Sequence, residues 1–90
     1  MKKTEFIEAL AEQAKLSKAD ATRALEAVTD IISDTLKSGD QVVITGFGTF
    51  LVRKREARSG RNPRTGDVIQ IPASNVPAFK AGKALKDAVN

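Results

Sequence analysis

The chain has 90 residues, which is the length of one domain, and carries 15 Lys and Arg against 11 Asp and Glu, a formal net charge of +4. It contains no His and no Cys, which excludes disulfide frameworks, thiolate or imidazole metal sites and histidine-dependent nucleophilic catalysis. The apolar runs are only a few residues long, so the sequence predicts no membrane span.

Two amphipathic helices are predicted in the N-terminal part of the chain. Apolar residues recur at helical spacing and predict a first helix over about residues 4–14, with Thr4 as its N-cap. A longer apolar stripe of period 3.6 predicts a second helix over about residues 18–37, opened by Ser17 and Asp20 in the manner of a capping box. The two helices should form a hairpin.

The hydrophobic pattern then changes to that of short β-strands. Residues 41–45 form a β-rich run and Gly46-Phe47-Gly48 a turn. A second strand runs from Thr49 to Arg58 and continues to about Gly60.

The remaining residues predict a return of the chain and a final helix. A turn-rich segment over residues 59–67 leads into a strand over residues 68–71, which ends at Pro72. Residues 76–79 then lead into a short helix over about residues 82–89. The sequence therefore predicts an α+β fold with a helical hairpin base, an antiparallel β-sheet and a short C-terminal helix.

The second strand is too long and too polar to stay within a small body. About twelve residues at ~3.3 Å each span roughly 40 Å, and its apolar residues end at Val52. The polar remainder and its return, about residues 53–74, must project as a two-stranded β-ribbon arm without a core of its own. A body of about 65–70 residues is left, too small for a strong core, so we expect an intertwined dimer.

Positive charge is concentrated in the predicted arm. Residues 1–45 hold six basic and eight acidic residues, a net charge of −2, whereas residues 46–90 hold nine basic and three acidic, a net charge of +6. The arm favours a polyanionic partner, with a solvated surface as the plainer alternative. Five of its six basic residues are Arg, whose planar fork binds phosphate bidentately. The six are Arg53, Lys54, Arg55, Arg58, Arg61 and Arg64.

The tip of the arm, from Arg61 to Gly66, places Pro63 at an exposed apex between arginines. A rigid apolar side chain there can insert at a base step from the minor groove and kink a duplex. An ordinary turn proline is the alternative, and the flanking arginines favour the functional interpretation.

Lysines outside the arm form a second group of candidates. Lys80, Lys83 and Lys86 recur every three residues and are predicted to lie near one face of the last helix. They fit phosphate contacts or a solvated helix face equally well, and Lys3 is a further candidate near the N-terminus.

The aromatic residues are predicted to be structural. The segment from Thr45 to Phe50 is similar to the RNP1 signature, which needs two aromatics placed so that both face the bases. Phe47 and Phe50 are three apart, so a regular strand sends them to opposite faces. They are better interpreted as core aromatics that flank a glycine turn.

The run from Gly46 to Phe50, the basic strand that follows it and the tip from Gly60 to Gly66 together resemble the bacterial histone-like HU family. The ending from Phe79 to Lys86 is also similar to that family. The resemblance covers residues 1–90, a single HU-type DNA-binding domain. It implies an interlocked dimer whose two arms wrap the DNA minor groove, bend the duplex and compact and protect the nucleoid.

The resemblance also implies roles for individual residues. Pro63 would be the wedge, and Phe47, Phe50 and Phe79 would form the dimer core. The residues that it assigns to DNA binding are Arg53, Lys54, Arg55, Arg58, Arg61, Asn62, Pro63, Arg64, Thr65, Lys3, Lys80, Lys83 and Lys86.

The prediction is a sequence-tolerant DNA-bending protein of the bacterial cytoplasm and nucleoid, with no enzymatic activity, cofactor, metal or membrane partner. Its preferred ligand is double-stranded DNA that is bent, nicked or cruciform, and its second subunit is another copy or a paralogue. Three alternatives stay open: the sequence-specific integration host factor type, an RNA- or ribosome-associated basic protein, and a module that embraces an acidic protein.

Overall fold

The computed structural model describes residues 1–90 and divides into two compact units, Met1–Thr35 and Leu36–Asn90. The elements confirm an α+β fold, and the prediction of one domain over residues 1–90 stays a prediction. The helices are α1 (Lys3–Ala14), α2 (Lys18–Lys37) and α3 (Lys83–Ala88). The strands are β1 (Val42–Ile44), β2 (Gly48–Arg55), β3 (Arg58–Arg61), β4 (Val68–Ile71) and β5 (Ser74–Ala81).

The start of α2 is fixed by its predicted cap. The hydroxyl of Ser17 accepts a hydrogen bond from the backbone N–H of Asp20 at 3.1 Å, which satisfies one donor of the first turn. The carboxylate of Asp20 pairs with Arg23 one turn later. An ion pair of 3.8 Å between Lys18 and Glu8 joins α2 to α1.

The prediction of Thr4 as the N-cap of α1 was wrong. The carbonyl of Lys2 already accepts a hydrogen bond from the N–H of Phe6 at 2.9 Å, so the helix begins one residue earlier. Thr4 therefore lies inside the first turn, and no side chain caps the helix. At the other end, Lys15 adopts the left-handed conformation (φ 56°) that ends α1 and lets the chain turn toward α2.

Antiparallel pairing organises the second unit. One sheet has the strand order β1-β2-β5, and β3 and β4 form a second, two-stranded sheet. β2 pairs with β5 from Gly48 opposite Ala81 to Arg55 opposite Ser74. β3 continues the same register, beginning with Arg58 opposite Ile71.

The prediction of one continuous second strand was wrong. Glu56 and Ala57 separate β2 from β3, and Pro72 and Ala73 separate β4 from β5 at the same level. Pro72 has no N–H to donate to a ladder, which explains why pairing stops there. Because both strands skip two residues, the register is kept across the gap.

The sequence also gave no indication of β5. Residues 76–79 were expected to lead into the last helix, but they form the middle of an eight-residue strand. Pro77 argues against a strand in sequence, yet β5 is an edge strand, where proline is tolerated. The prediction that Lys80 lies on the last helix was therefore wrong, because Lys80 lies on β5.

Three phenylalanines pack at the turn before β2. The ring centroid of Phe79 lies 5.5 Å from that of Phe47 and 4.8 Å from that of Phe50. Phe47 belongs to the turn, where its N–H donates to the carbonyl of Ile44 at 2.9 Å, so strand alternation does not separate it from Phe50. A methyl group on Gly48 would lie 2.6 Å from Cε1 of Phe79. Gly48 is therefore required for this ring to approach the backbone.

A single chain buries very little of its apolar surface. Its buried residues are Ala11, Ala21 and Gly48, and no large side chain is fully buried. Ile31 on α2 is 61% exposed, and Phe47 and Phe79 are 45% and 40% exposed. Apolar side chains of this size stabilise a fold only when water is excluded from them. Among the three helices, none has the length and hydropathy needed to cross a bilayer.

We expect Gly48→Ala to lower the free energy of unfolding by about 2–3 kcal/mol, because the added methyl group collides with the Phe79 ring and its neighbouring backbone. Gly39→Ala is the matched control: its methyl would meet open space, and only the left-handed φ of 85° costs about 1 kcal/mol. Urea titration measures both, and equal losses would contradict the packing role of Gly48.

Candidate nucleic-acid interface

The arm, residues 53–74, is open to solvent along its length. Only Gly60, Asn62 and Ile71 are half-buried, and every other residue of the arm is exposed. The arm consists of the end of β2, the β3–β4 ribbon and the first residue of β5. Its side chains are therefore available to a ligand from both faces and from the tip.

The six basic residues of the arm are distributed from its base to its tip and form no ion pair with a carboxylate. Arg53 and Arg55 share one face of β2, and Lys54 between them belongs to the opposite face. All three residues line a shallow cleft together with Val76 and Ala78. On β3, three-residue spacing puts the two arginines of that strand on opposite faces. The ion pairs of the structure are both in the first unit. The arm therefore presents uncompensated positive charge on both faces.

The tip is closed by hydrogen bonds around Asn62. Its side-chain oxygen accepts a hydrogen bond from the N–H of Arg64 at 2.9 Å, and its carbonyl accepts one from Gly66 at 2.8 Å. Its N–H donates to the carbonyl of Asp67 at 2.7 Å. Gly66 has a φ of 75°, a conformation that favours glycine. These bonds satisfy the backbone of the turn and leave Pro63 exposed at its apex.

The structure thus gives Asn62 a role inside the protein that the sequence did not reveal. As the acceptor of an Asx turn, its side chain holds the backbone on either side of Pro63. Thr65 acts similarly, since its hydroxyl accepts a hydrogen bond from the N–H of Asp67 at 3.3 Å. Direct contact of these two residues with a ligand stays a prediction.

The predicted lysines occupy three different elements. Lys80 lies on β5 opposite Thr49, whereas Lys83 and Lys86 lie one turn apart on α3. Lys3 is the first residue of α1 and belongs to the other unit. All four are exposed, and their contact with a ligand stays a prediction.

The apolar residues of β4 were not among the predicted site residues. Val68 and Ile69 are strongly exposed on β4, and Ile71 lies two residues further along the same strand. The signal was present in the sequence as a run of β-branched residues, but it was assigned only to strand formation.

Comparison with known proteins places the whole chain beside proteins that bind DNA. The model of the family described as bacterial DNA-binding protein matches residues 1–90. DNA-binding protein HU 1 of Bacillus subtilis is 63% identical over 89 residues, which cover 99% of this chain and 97% of that protein. DNA-binding protein HU-alpha of Vibrio proteolyticus is 64% identical over 89 residues, 99% of both chains.

Solved structures show the same fold. The chain is similar to HU in an Anabaena HU–DNA cocrystal structure, with a TM-score of 0.91 and 45% identity over 99% of this chain and 97% of that one. HU from Thermotoga maritima gives a TM-score of 0.73 with 32% identity over 100% of both chains. The greater similarity is to a protein that was crystallised with DNA.

Proposed function

Because the chain belongs to the bacterial DNA-binding protein family that includes HU, we propose that it bends duplex DNA with little regard to sequence. It is a DNA-binding architectural protein and not an enzyme. The observation that carries the proposal is the exposed arm, whose six basic residues have no carboxylate partners and whose tip presents Pro63. As a bacterial DNA-binding protein it works on the nucleoid, and we place it in the cytoplasm because bacterial DNA is there.

Affinity in this proposal comes mainly from the release of counterions. Arg and Lys side chains that neutralise DNA phosphates displace condensed cations, which favours binding at low salt. The arm cations Arg53, Arg58 and Arg64 are spread from its base to its tip, so an arm in the minor groove would reach phosphates on both strands. Lys80, Lys83, Lys86 and Lys3 add contacts to the flanking backbone.

Bending comes from the tip. Pro63 is rigid and apolar, and its exposed position is held by the hydrogen bonds of Asn62. Inserted between base pairs from the minor groove, such a side chain unstacks a step and kinks the duplex. DNA that is nicked, cruciform or already curved costs less to deform and should therefore be preferred.

The part of the chain outside the arm needs a second copy to cover its exposed apolar side chains. The exposed apolar side chains, including Phe47, Phe79 and Ile31, support an intertwined dimer in which they are covered. The partner is a second copy or a paralogous subunit, and either one brings a second arm. Phe50, half-buried against Phe79, belongs to the same apolar surface.

We expect the purified chain to have twice the 9.6 kDa mass of one copy in size-exclusion chromatography with light scattering. Its melting temperature should rise with protein concentration, because dimerisation favours the folded state by mass action. A 9.6 kDa particle with a concentration-independent transition would contradict the dimer.

We expect the logarithm of the association constant for duplex DNA to fall with the logarithm of salt concentration at a slope near −7, if about eight phosphates are neutralised. Fluorescence anisotropy at several NaCl concentrations measures this slope. A flat response would contradict the electrostatic mechanism and with it the proposed function.

We expect Pro63→Ala to reduce the bend of a duplex strongly while it weakens binding less than about threefold, because the arm cations are retained. Energy transfer between dyes at the two duplex ends reports the bend, and anisotropy reports affinity. Pro72→Ala, the same change in the arm away from the tip, is the control. Parallel loss of bend and affinity in the Pro63 variant would count against a wedge.

A further inference from the structure

The arm carries three side-chain hydroxyl groups, and all three residues are exposed. Ser59 lies on β3, Thr65 lies in the turn at the tip, and Ser74 is the first residue of β5. Each hydroxyl is therefore accessible to an enzyme that modifies such groups. Their surroundings differ in charge and in backbone conformation, and both differences favour Ser59.

The sequence around Ser59 is the most basic of the three. Arg58 precedes it directly, Arg61 follows two residues later, and Arg55 lies four residues before it. Ser74, in contrast, has no charged residue within four positions on either side. Guanidinium groups beside an acceptor hydroxyl offer an acidic enzyme cleft paired, charge-assisted hydrogen bonds. An enzyme with such a cleft would therefore select Ser59 over Ser74.

The backbone conformation favours Ser59 over Thr65. Ser59 lies in an extended strand that pairs only with β4, so the outer edge of β3 is open to a binding cleft. Thr65 lies in a turn closed by the hydrogen bonds of Asn62, and its hydroxyl already accepts a bond from the N–H of Asp67 at 3.3 Å. This turn would have to open before an enzyme could hold Thr65 in an extended conformation.

The hydroxyl of Ser59 is only loosely held. It accepts a hydrogen bond from the side-chain amide of Gln70 on the facing strand at 3.4 Å, which is longer than most hydrogen bonds in proteins. A phosphoryl group on the oxygen supplies new acceptor atoms for Gln70, so the pairing of β3 with β4 does not have to change. The site can therefore be modified while the ribbon stays folded.

We propose that Ser59 is a phosphorylation site and that phosphoserine at this position lowers the affinity of the chain for DNA. The consequence rests on the proposed function, whereas the site itself follows from the hydroxyl and the arginines around it. In the transfer, Oγ of Ser59 forms a bond to the γ-phosphorus of a nucleoside triphosphate, and the bond from that phosphorus to the β–γ bridging oxygen breaks. The hydroxyl proton passes to a carboxylate of the kinase, and a nucleoside diphosphate leaves.

Phosphoserine at this position changes the charge of the arm in two ways. It adds about −2 to an arm that holds six basic and two acidic residues, so the net charge falls from +4 to about +2. Ser59 and Arg61 are two residues apart on β3 and share a face with Val68 and Gln70 of β4. The phosphate is therefore placed to bind the guanidinium of Arg61, which is then lost to DNA.

The first experiment determines whether the site is used. The full chain is purified from the bacterium that encodes it, in growth and in stationary phase, and phosphate is located by fragmentation mass spectrometry. Parallel strains carry Ser59→Ala, or Ser74→Ala as the matched control on the same arm. We expect phosphate on Ser59 in the parent and in Ser74→Ala, and an unmodified arm in Ser59→Ala. An unmodified Ser59 in both phases, or phosphate only on Thr65 or Ser74, would overturn the inference.

The second experiment measures the consequence for DNA binding. The full chain with phosphoserine incorporated at position 59 during translation is compared with the parent by fluorescence anisotropy on a short duplex. We expect binding about eightfold to sixtyfold weaker at about 0.1 M salt and a salt slope smaller in magnitude by about 0.9–1.8, since one or two phosphate contacts are lost. Phosphatase treatment should restore the parent values. Ser59→Ala should bind within about twofold of the parent, because it leaves the charge of the arm unchanged.

Three results of the second experiment would overturn the inference. These are a phosphoserine chain that binds like the parent, a loss of affinity with an unchanged salt slope, and a loss of amide protection along β3 and β4, which would assign the effect to unfolding. In each of them the parent still binds duplex DNA, so the proposed function stands. Failure of the parent to bind duplex DNA would remove the proposed function itself and leave the mass-spectrometric result on Ser59 unaffected.

Discussion

The antiparallel pairing of β2 with β5 is the interaction on which the second unit depends. It holds Phe79 over Gly48 at one end, where a side chain larger than hydrogen would collide with the ring. At the other end it brings Arg55 and Ser74 together and starts the arm in register. The same register continues through β3 and β4. The position of Pro63 at the tip therefore depends on the register that is set where Phe79 packs over Gly48.

Much of this architecture could be predicted because it depends on local pattern. The period of the apolar residues indicated both helices of the hairpin, and the cap at Ser17 is present. The charge of the arm and the turn residues at its tip likewise follow from composition. The resemblance to the HU family was confirmed over the whole chain.

The features that were missed depend on pairing between distant residues. Pro77 disfavours a strand in isolation, and only its place at the edge of a sheet makes β5 possible. The gap after Arg55 reflects Pro72, which lies at the same level in the gap between β4 and β5. The placement of Ile69 opposite Gly60 could not be recognised from sequence, because the register between β3 and β4 is a tertiary property. Asn62 is a local exception: it was expected at the DNA surface, and its side-chain oxygen accepts a hydrogen bond from the N–H of Arg64 two residues later, which holds the tip.

The paired gaps at Glu56–Ala57 and Pro72–Ala73 make the stiffness of the arm uneven. A two-stranded ladder resists bending through its cross-strand hydrogen bonds, and here that resistance falls at one level, with paired segments on either side. Thermal motion should therefore move the β3–β4 ribbon as a nearly rigid unit about this flexible level, while the paired ends of β2 and β5 move with the three-stranded sheet. Such an arm can adapt to duplexes of different curvature and twist without any change in the rest of the chain.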